Sequence, residues 1–229
     1  MSDDLKDAGE VLEKFGLNFR FDKFIDLKKV RGIEAESWFH EIIDFSLSNR
    51  GVDDKEFFTS EFIIVPFLRE IWRRHPRLSL FSHVQIRDEE RILIPDYLIS
   101  SKDPTGFKKL HKPLLLTVEA KNEKFEEGWL DALLQSVVCR KINGTDEIPI
   151  FSIVTTGDVW QFGKLETATF VRHPIPASVQ DTGRLLGILD MLFSECEKNA
   201  SKTGSGQLAS ASSQPPANPV LRNDRSTGQ

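Results

Sequence analysis

The sequence predicts an α/β sandwich in which a mixed sheet lies between helices. Three observations carry that prediction. Residues 31–48 and 126–142 place apolar side chains at helical spacing, and three short β-rich segments lie between them. A further apolar strand, "IPIFSIVTTG", follows the second of these helices. Helix, three strands, helix and strand, then extra strands and a closing helix, is an order that layers helices on a sheet.

Each element has its own signal. In "RGIEAESWFHEIIDFSLS", Trp38, Ile42 and Phe45 recur at helical spacing beside Phe39 and Ile43. A second helical stretch, "DDKEFFTSEFIIVPFLREIWRRH", should kink or break near Pro66, which lacks the donor a helix interior needs. "LSLFSHVQIRD" and "RILIPDYLIS", joined by Asp88, Glu89 and Glu90, read as an antiparallel hairpin, and "KPLLLTVEAK" as a third strand. "EEGWLDALLQSVVCRKI" repeats Trp129, Leu130, Leu133, Leu134, Val137 and Val138 as a core-facing stripe. "DVWQFGKLE" and "TATFVRH" follow as antiparallel strands, and a last helix spans about 178–197.

Composition bounds the function. The 229 residues are 28% charged and 39% apolar, with no run near the roughly 18 apolar residues that a membrane helix requires, so no membrane partner is expected. The start, "MSDDLKDAGEVLEKF", has no apolar core behind a basic segment and is not a secretory signal, which makes the cytoplasm the default compartment. Cys139 and Cys196 have no metal-ligand spacing and read as buried thiols. Residues 200–229 are rich in Ser, Gly, Pro and Asn and are expected to be a disordered tail behind one domain of residues 1–199. The tail carries a net +2, which leaves about −7 on the domain, so any nucleic-acid contact must be local.

Within the strands, charges stand where they are costly. Glu119 and Lys121 end the apolar run "LLLTVEAK", and as i and i+2 neighbours they share one face, with Val118 and Ala120 on the other. Asp96 interrupts a second apolar run directly after Pro95, which cannot donate a ladder hydrogen bond. If the two strands are neighbours, two carboxylates converge beside a lysine. Such a pair suits a hard divalent cation that activates water, with the ammonium steadying the attacking water or the charge growing on a phosphate.

Pro95-Asp96 followed by Glu119-Ala120-Lys121 resembles the signature of the PD-(D/E)XK, restriction-endonuclease-like nucleases, and the element order αβββαβ over about residues 31–156 is similar to theirs. The resemblance implies a restriction-endonuclease-like sandwich and a Mg2+- or Mn2+-dependent (endo)nuclease acting on nucleic acid, DNA first. Asp96 and Glu119 would be metal ligands, the Ala120 carbonyl a further ligand, and Lys121 the catalytic lysine. Family members often add a glutamate from the first helix; on a helical wheel Glu36 falls just inside the apolar arc, with Glu34 in reserve. Many also carry a glutamine in the following helix, and Gln135 stands there, although it lies beyond the apolar stripe, where an ordinary solvated glutamine also belongs. Cys139 occupies the place where the relatives carry tyrosine. Many such enzymes act as homodimers, and some chains of this type bind or assemble without cutting.

Lys102, Lys108, Lys109 and Lys112, in the loop between the motif strands, are expected to hold nucleic-acid phosphates against the acidic centre, or else to be a solubilising loop. "IWRRHPR" is a second basic cluster of the same kind. The histidines at 40, 75, 83, 111 and 173 show no ligand spacing, and no GxxxxGK[ST] loop is present, which argues against a zinc protease, a triad hydrolase or an ATP-driven motor.

Overall fold

The computed structural model of the chain describes residues 7–51 and 56–209. In chain order these form α1 (Ala8–Lys14), β1 (Asn18–Phe21), α2 (Ser37–Ser48), α3 (Glu56–Thr59), a π-helical turn (Ser60–Ile64) and α4 (Val65–Trp72). Next come β2 (Leu78–Ser82), β3 (Ile86–Arg87), β4 (Ile92–Leu93), β5 (Tyr97–Ser101), β6 (His111–Ala120) and α5 (Phe125–Asn143). The chain continues with β7 (Ile150–Thr155), β8 (Val159–Glu166), β9 (Thr169–Arg172), β10 (Ala177–Ser178) and α6 (Thr182–Ala209).

The main sheet is ordered β1-β9-β8-β7-β6-β5-β2, with β10 beside β8. It is mixed, since β6 and β7 run parallel through the α5 crossover while β5–β6, β7–β8 and β8–β9 are antiparallel. Two apolar layers cover it. On one face α2, the π-turn, α4 and α6 bury Phe39, Ile63, Phe67 and Leu189 against Val118, Ile153 and Phe162. On the other, α1 and α5 bury Val11, Trp129, Leu133 and Val137 against Leu114, Val154 and Leu165. Each fully buried side chain of this size contributes about 1.5–3 kcal/mol.

The α/β class and the mixed sheet agree with the sequence reading. The kink near Pro66 takes the form of a π-turn: the Val65 N–H bonds back to the Ser60 carbonyl, and Pro66 follows in the first turn of α4, in backbone that stays helical from the π-turn onward. The start of that predicted helix, residues 53–55, lies outside the described residues. The expected hairpin splits in two, because β2 pairs with β5 in the main sheet while β3 and β4 form a separate ribbon. Helix α5 stops where Gly144 adopts φ 73°, with Arg140 and Lys141 in its last turn. Helix α6 runs to Ala209, into the stretch whose composition suggested a tail, and residues 210–229 lie outside the described residues. Among the described residues no helix is long and apolar enough to cross a membrane.

Candidate active site

Strand pairing brings the acidic residues together. Tyr97 stands opposite Val118 in the antiparallel β5–β6 ladder, and both face the α2–α4–α6 layer. Glu119 therefore points to the α5 side. Asp96 sits in the bend before β5, and its Oδ2 accepts the Ala120 N–H at 2.7 Å. A side-chain carboxylate thus replaces a ladder bond where the strand is interrupted after Pro95. On its outer side, Asp96 Oδ1 lies 3.5 Å from His83 Nε2, while the His83 N–H bonds the Asp96 carbonyl at 2.9 Å.

Glu119 is 4% exposed. Gln135 Nε2 donates to its Oε1 at 2.5 Å, and Lys121 Nζ lies 3.3 Å from its Oε2. Burial, reinforced by the charge of Asp96, pushes the Glu119 carboxyl up to about 7 despite both partners. Lys121 also approaches Asp131 Oδ2, at 2.9 Å. Burial alone would depress its pKa; the hydrogen bond to Asp131 and the charges of Glu119 and Asp131 outweigh it and hold the ammonium above its ordinary value. Helix α5 comes close enough to build this arrangement because Gly128 has no side chain, since a Cβ there would stand 2.5 Å from Val154 Cγ1 and 2.9 Å from Lys121 Cγ.

Asp96, Glu119, Lys121, the Ala120 backbone and Gln135 therefore meet at one end of β5 and β6. Gln135 is buried against Glu119, which corrects the solvated alternative. Glu36 does not join them. Helix α2 begins only at Ser37, so Glu36 is an extended N-cap residue to which the wheel does not apply. Its carboxylate accepts from Trp38 Nε1 at 3.1 Å and lies 4.0 Å from Arg73. Glu34 is exposed in the segment before the helix.

The lysine loop is also elsewhere. A hairpin places its connection at the end opposite its open termini, so Lys102, Lys108, Lys109 and Lys112 lie across the length of β5 from Asp96 and do not face the acidic centre. In the second basic cluster, Arg73 and Arg74 are both bound to the buried Glu70.

Three residues at the site were missed. Asp131 and His83 have been described; the third is Glu56, at the start of α3. Burial raises its carboxyl, and the charges of Lys121, Asp96 and Asp131 act on it. A signal existed, because Glu56 precedes the buried Thr59, Ser60 and Ile63 by three, four and seven residues.

Among the described residues no group of three or more His, Cys, Asp or Glu is placed to hold a metal ion. The donors at hand are the two carboxylates and the buried Oε1 of Gln135, which has no hydrogen-bond partner among those residues. Magnesium takes one or two protein carboxylates and fills its shell with waters, so Asp96 and Glu119 are donors of the type that cation takes. No family model matches the chain, and no curated protein matches it.

Proposed function

We propose that the protein is a metal-dependent nuclease with a restriction-endonuclease-like fold, hydrolysing phosphodiester bonds of nucleic acid, DNA foremost. One observation carries this reading: a buried carboxylate, Glu119, lies 3.3 Å from an ammonium and feels the charge of Asp96, which is bonded to the next residue's N–H. An ordinary strand-end ion pair has no need of a further like charge near its buried carboxylate, because that charge disfavours the ionised form. Asp96 and Glu119 would hold Mg2+ or Mn2+, with the Ala120 carbonyl as a further ligand by resemblance. A bound cation supplies a water of lowered pKa and shields charge on the phosphate. Lys121, kept protonated by Asp131, steadies the incoming water and the charge growing on the phosphate oxygens. Gln135 fixes the rotamer of Glu119, and Glu56 adds a carboxylate whose charge is coupled to Lys121 and Asp96.

A second reading, a nuclease-like fold that binds or assembles without cutting, is favoured by one feature. Glu119 and Lys121 are already satisfied by protein partners, Gln135 and Asp131. Incubation with plasmid, single-stranded DNA and RNA, in Mg2+, Mn2+ or EDTA, separates the two. Metal-dependent cutting that disappears in both Asp96→Ala and Lys121→Ala supports the enzyme. Binding without cutting in every metal supports the rival.

A further inference from the structure

The lysine loop, unused by the acidic centre, borders a cavity of about 740 Å3 between α2, α4 and the start of β2. This is within the roughly 300–1,000 Å3 of small-molecule sites. Its walls are aromatic and apolar. Trp72 is fixed in place, its indole N–H donating to the Leu78 carbonyl at 2.9 Å. Trp38, across the opening on α2, is left 46% exposed, so an indole borders the cavity without being buried by the fold.

Cations outnumber carboxylates in the lining of this cavity, and the Glu36 carboxylate beside it is taken up by the Trp38 indole N–H. Arg69, Arg73, Lys102 and Lys108 line it against two carboxylates, Glu70 and Asp103. Both acids are already spent. Glu70 is held by Arg73 and Arg74, and these bonds outweigh burial to keep it ionised. Asp103 accepts from the Thr105 hydroxyl and N–H and from the Lys109 N–H. Arg69 and Lys102 have no carboxylate partner among the described residues, and the Lys108 ammonium rests 5.6 Å from the Trp72 ring centre. Unspent cations around indole walls, in a chain of net charge −5, select a ligand that is both planar and anionic.

We propose that this cavity binds a nucleotide, its base against Trp38 and Trp72 and its phosphate met by Arg69, Lys102 and Lys108. Stacking on an aromatic wall tolerates any base, whereas the phosphate contacts demand the charge. A second cavity of about 420 Å3 shares Lys102 and Asp103 and adds Arg77, leaving room for a following nucleotide. The site is separated from Asp96 by the whole of β5, about 16 Å of extended chain, and its occupation does not depend on hydrolysis.

Calorimetric titration in EDTA reads binding whether or not the protein cuts. The probes are dAMP, adenosine and the tetranucleotide of deoxyadenylate. Saturable binding of dAMP at least about ten-fold tighter than of adenosine is expected, weakening about ten-fold or more in Lys102→Ala/Lys108→Ala and in Trp38→Leu. These side chains are exposed, so circular dichroism should show both variants folded. A tetranucleotide bound more than ten-fold tighter than dAMP identifies a nucleic-acid strand as the source; equal affinities identify a free nucleotide. Absence of saturable dAMP binding at millimolar concentration, equal binding of adenosine, or affinity unchanged in folded variants overturns the proposal.

Discussion

Gln135 Nε2 donates to Glu119 Oε1 at 2.5 Å, from the buried side of α5 to the penultimate residue of β6. Even so, burial and Asp96 leave the Glu119 carboxyl at about 7 in the folded chain, against an ordinary value near 4.5. Between those values the folded state binds the proton and the unfolded state has lost it. The stability linked to Glu119 is therefore complete below about pH 4.5 and is lost as pH rises through 7. The loss is on the order of 3 kcal/mol. Thermal melts of the native protein and Glu119→Gln between pH 5 and 8 check it. The melting temperature of the native protein should fall relative to the variant across that range, and a pH-independent gap would refute the coupling.

A cation between Asp96 and Glu119 reverses the cause of that strain, because it favours the ionised forms. Millimolar Mg2+ or Mn2+ should therefore raise the melting temperature at pH 8 and do so much less at pH 5.5, where protons compete for Glu119. Asp96→Ala should abolish the effect at both pH values. Equal shifts in native protein and variant would place the cation elsewhere.

Gly128 sets how closely α5 approaches the end of β6. A methyl group at that position meets Val154 Cγ1 at 2.5 Å and Lys121 Cγ at 2.9 Å, so Gly128→Ala should displace Lys121 as well as overpack the core. Denaturant unfolding should show a loss of about 1–3 kcal/mol. Cutting should drop further than the unfolded fraction explains, while Gly144→Ala, a helix-end substitution remote from the site, should cost stability alone.

Glu56, not Glu36, is the helical-layer glutamate whose charge couples to Lys121, Asp96 and Asp131. Glu56→Gln should lower cutting about ten-fold or more, by analogy with the loss of a charged partner. Glu36→Gln should leave it unchanged, since that carboxylate faces Trp38 and Arg73. The reverse pattern would restore the helical-wheel assignment.

The two acidic strand ends were legible because a charge inside an apolar run is visible without knowing the fold, and because strand alternation fixes the face. Helix α2 shows where such reading stops. Phe39, Ile43 and Ser46 are buried, while Trp38, Ile42 and Phe45, one residue earlier on an equally periodic stripe, remain exposed. Periodicity identifies a helix without saying which of two adjacent stripes its neighbours cover. The same limit misplaced Glu36, since the wheel assumed helical backbone before Ser37. β1 escaped notice for another reason. All four of its residues are exposed, so its pairing with β9 leaves no buried pattern in the sequence.

Asp131 provides the sharpest separation between a catalytic lysine and a structural one. Its carboxylate lies 2.9 Å from Lys121 Nζ, and that hydrogen bond is the largest contribution keeping the ammonium protonated against its burial. Asp131→Asn retains the shape and removes the charge, so the pKa of Lys121 should fall while Glu119 still anchors the side chain at 3.3 Å. If Lys121 acts as a cation toward the phosphate, the variant should cut several-fold more slowly, and its rate should decline at a lower alkaline pH than that of the native protein. A purely structural Lys121 predicts a modest loss of stability with no movement of the alkaline limb. The pH–rate profile of Asp131→Asn, measured beside its melting temperature, distinguishes the two outcomes.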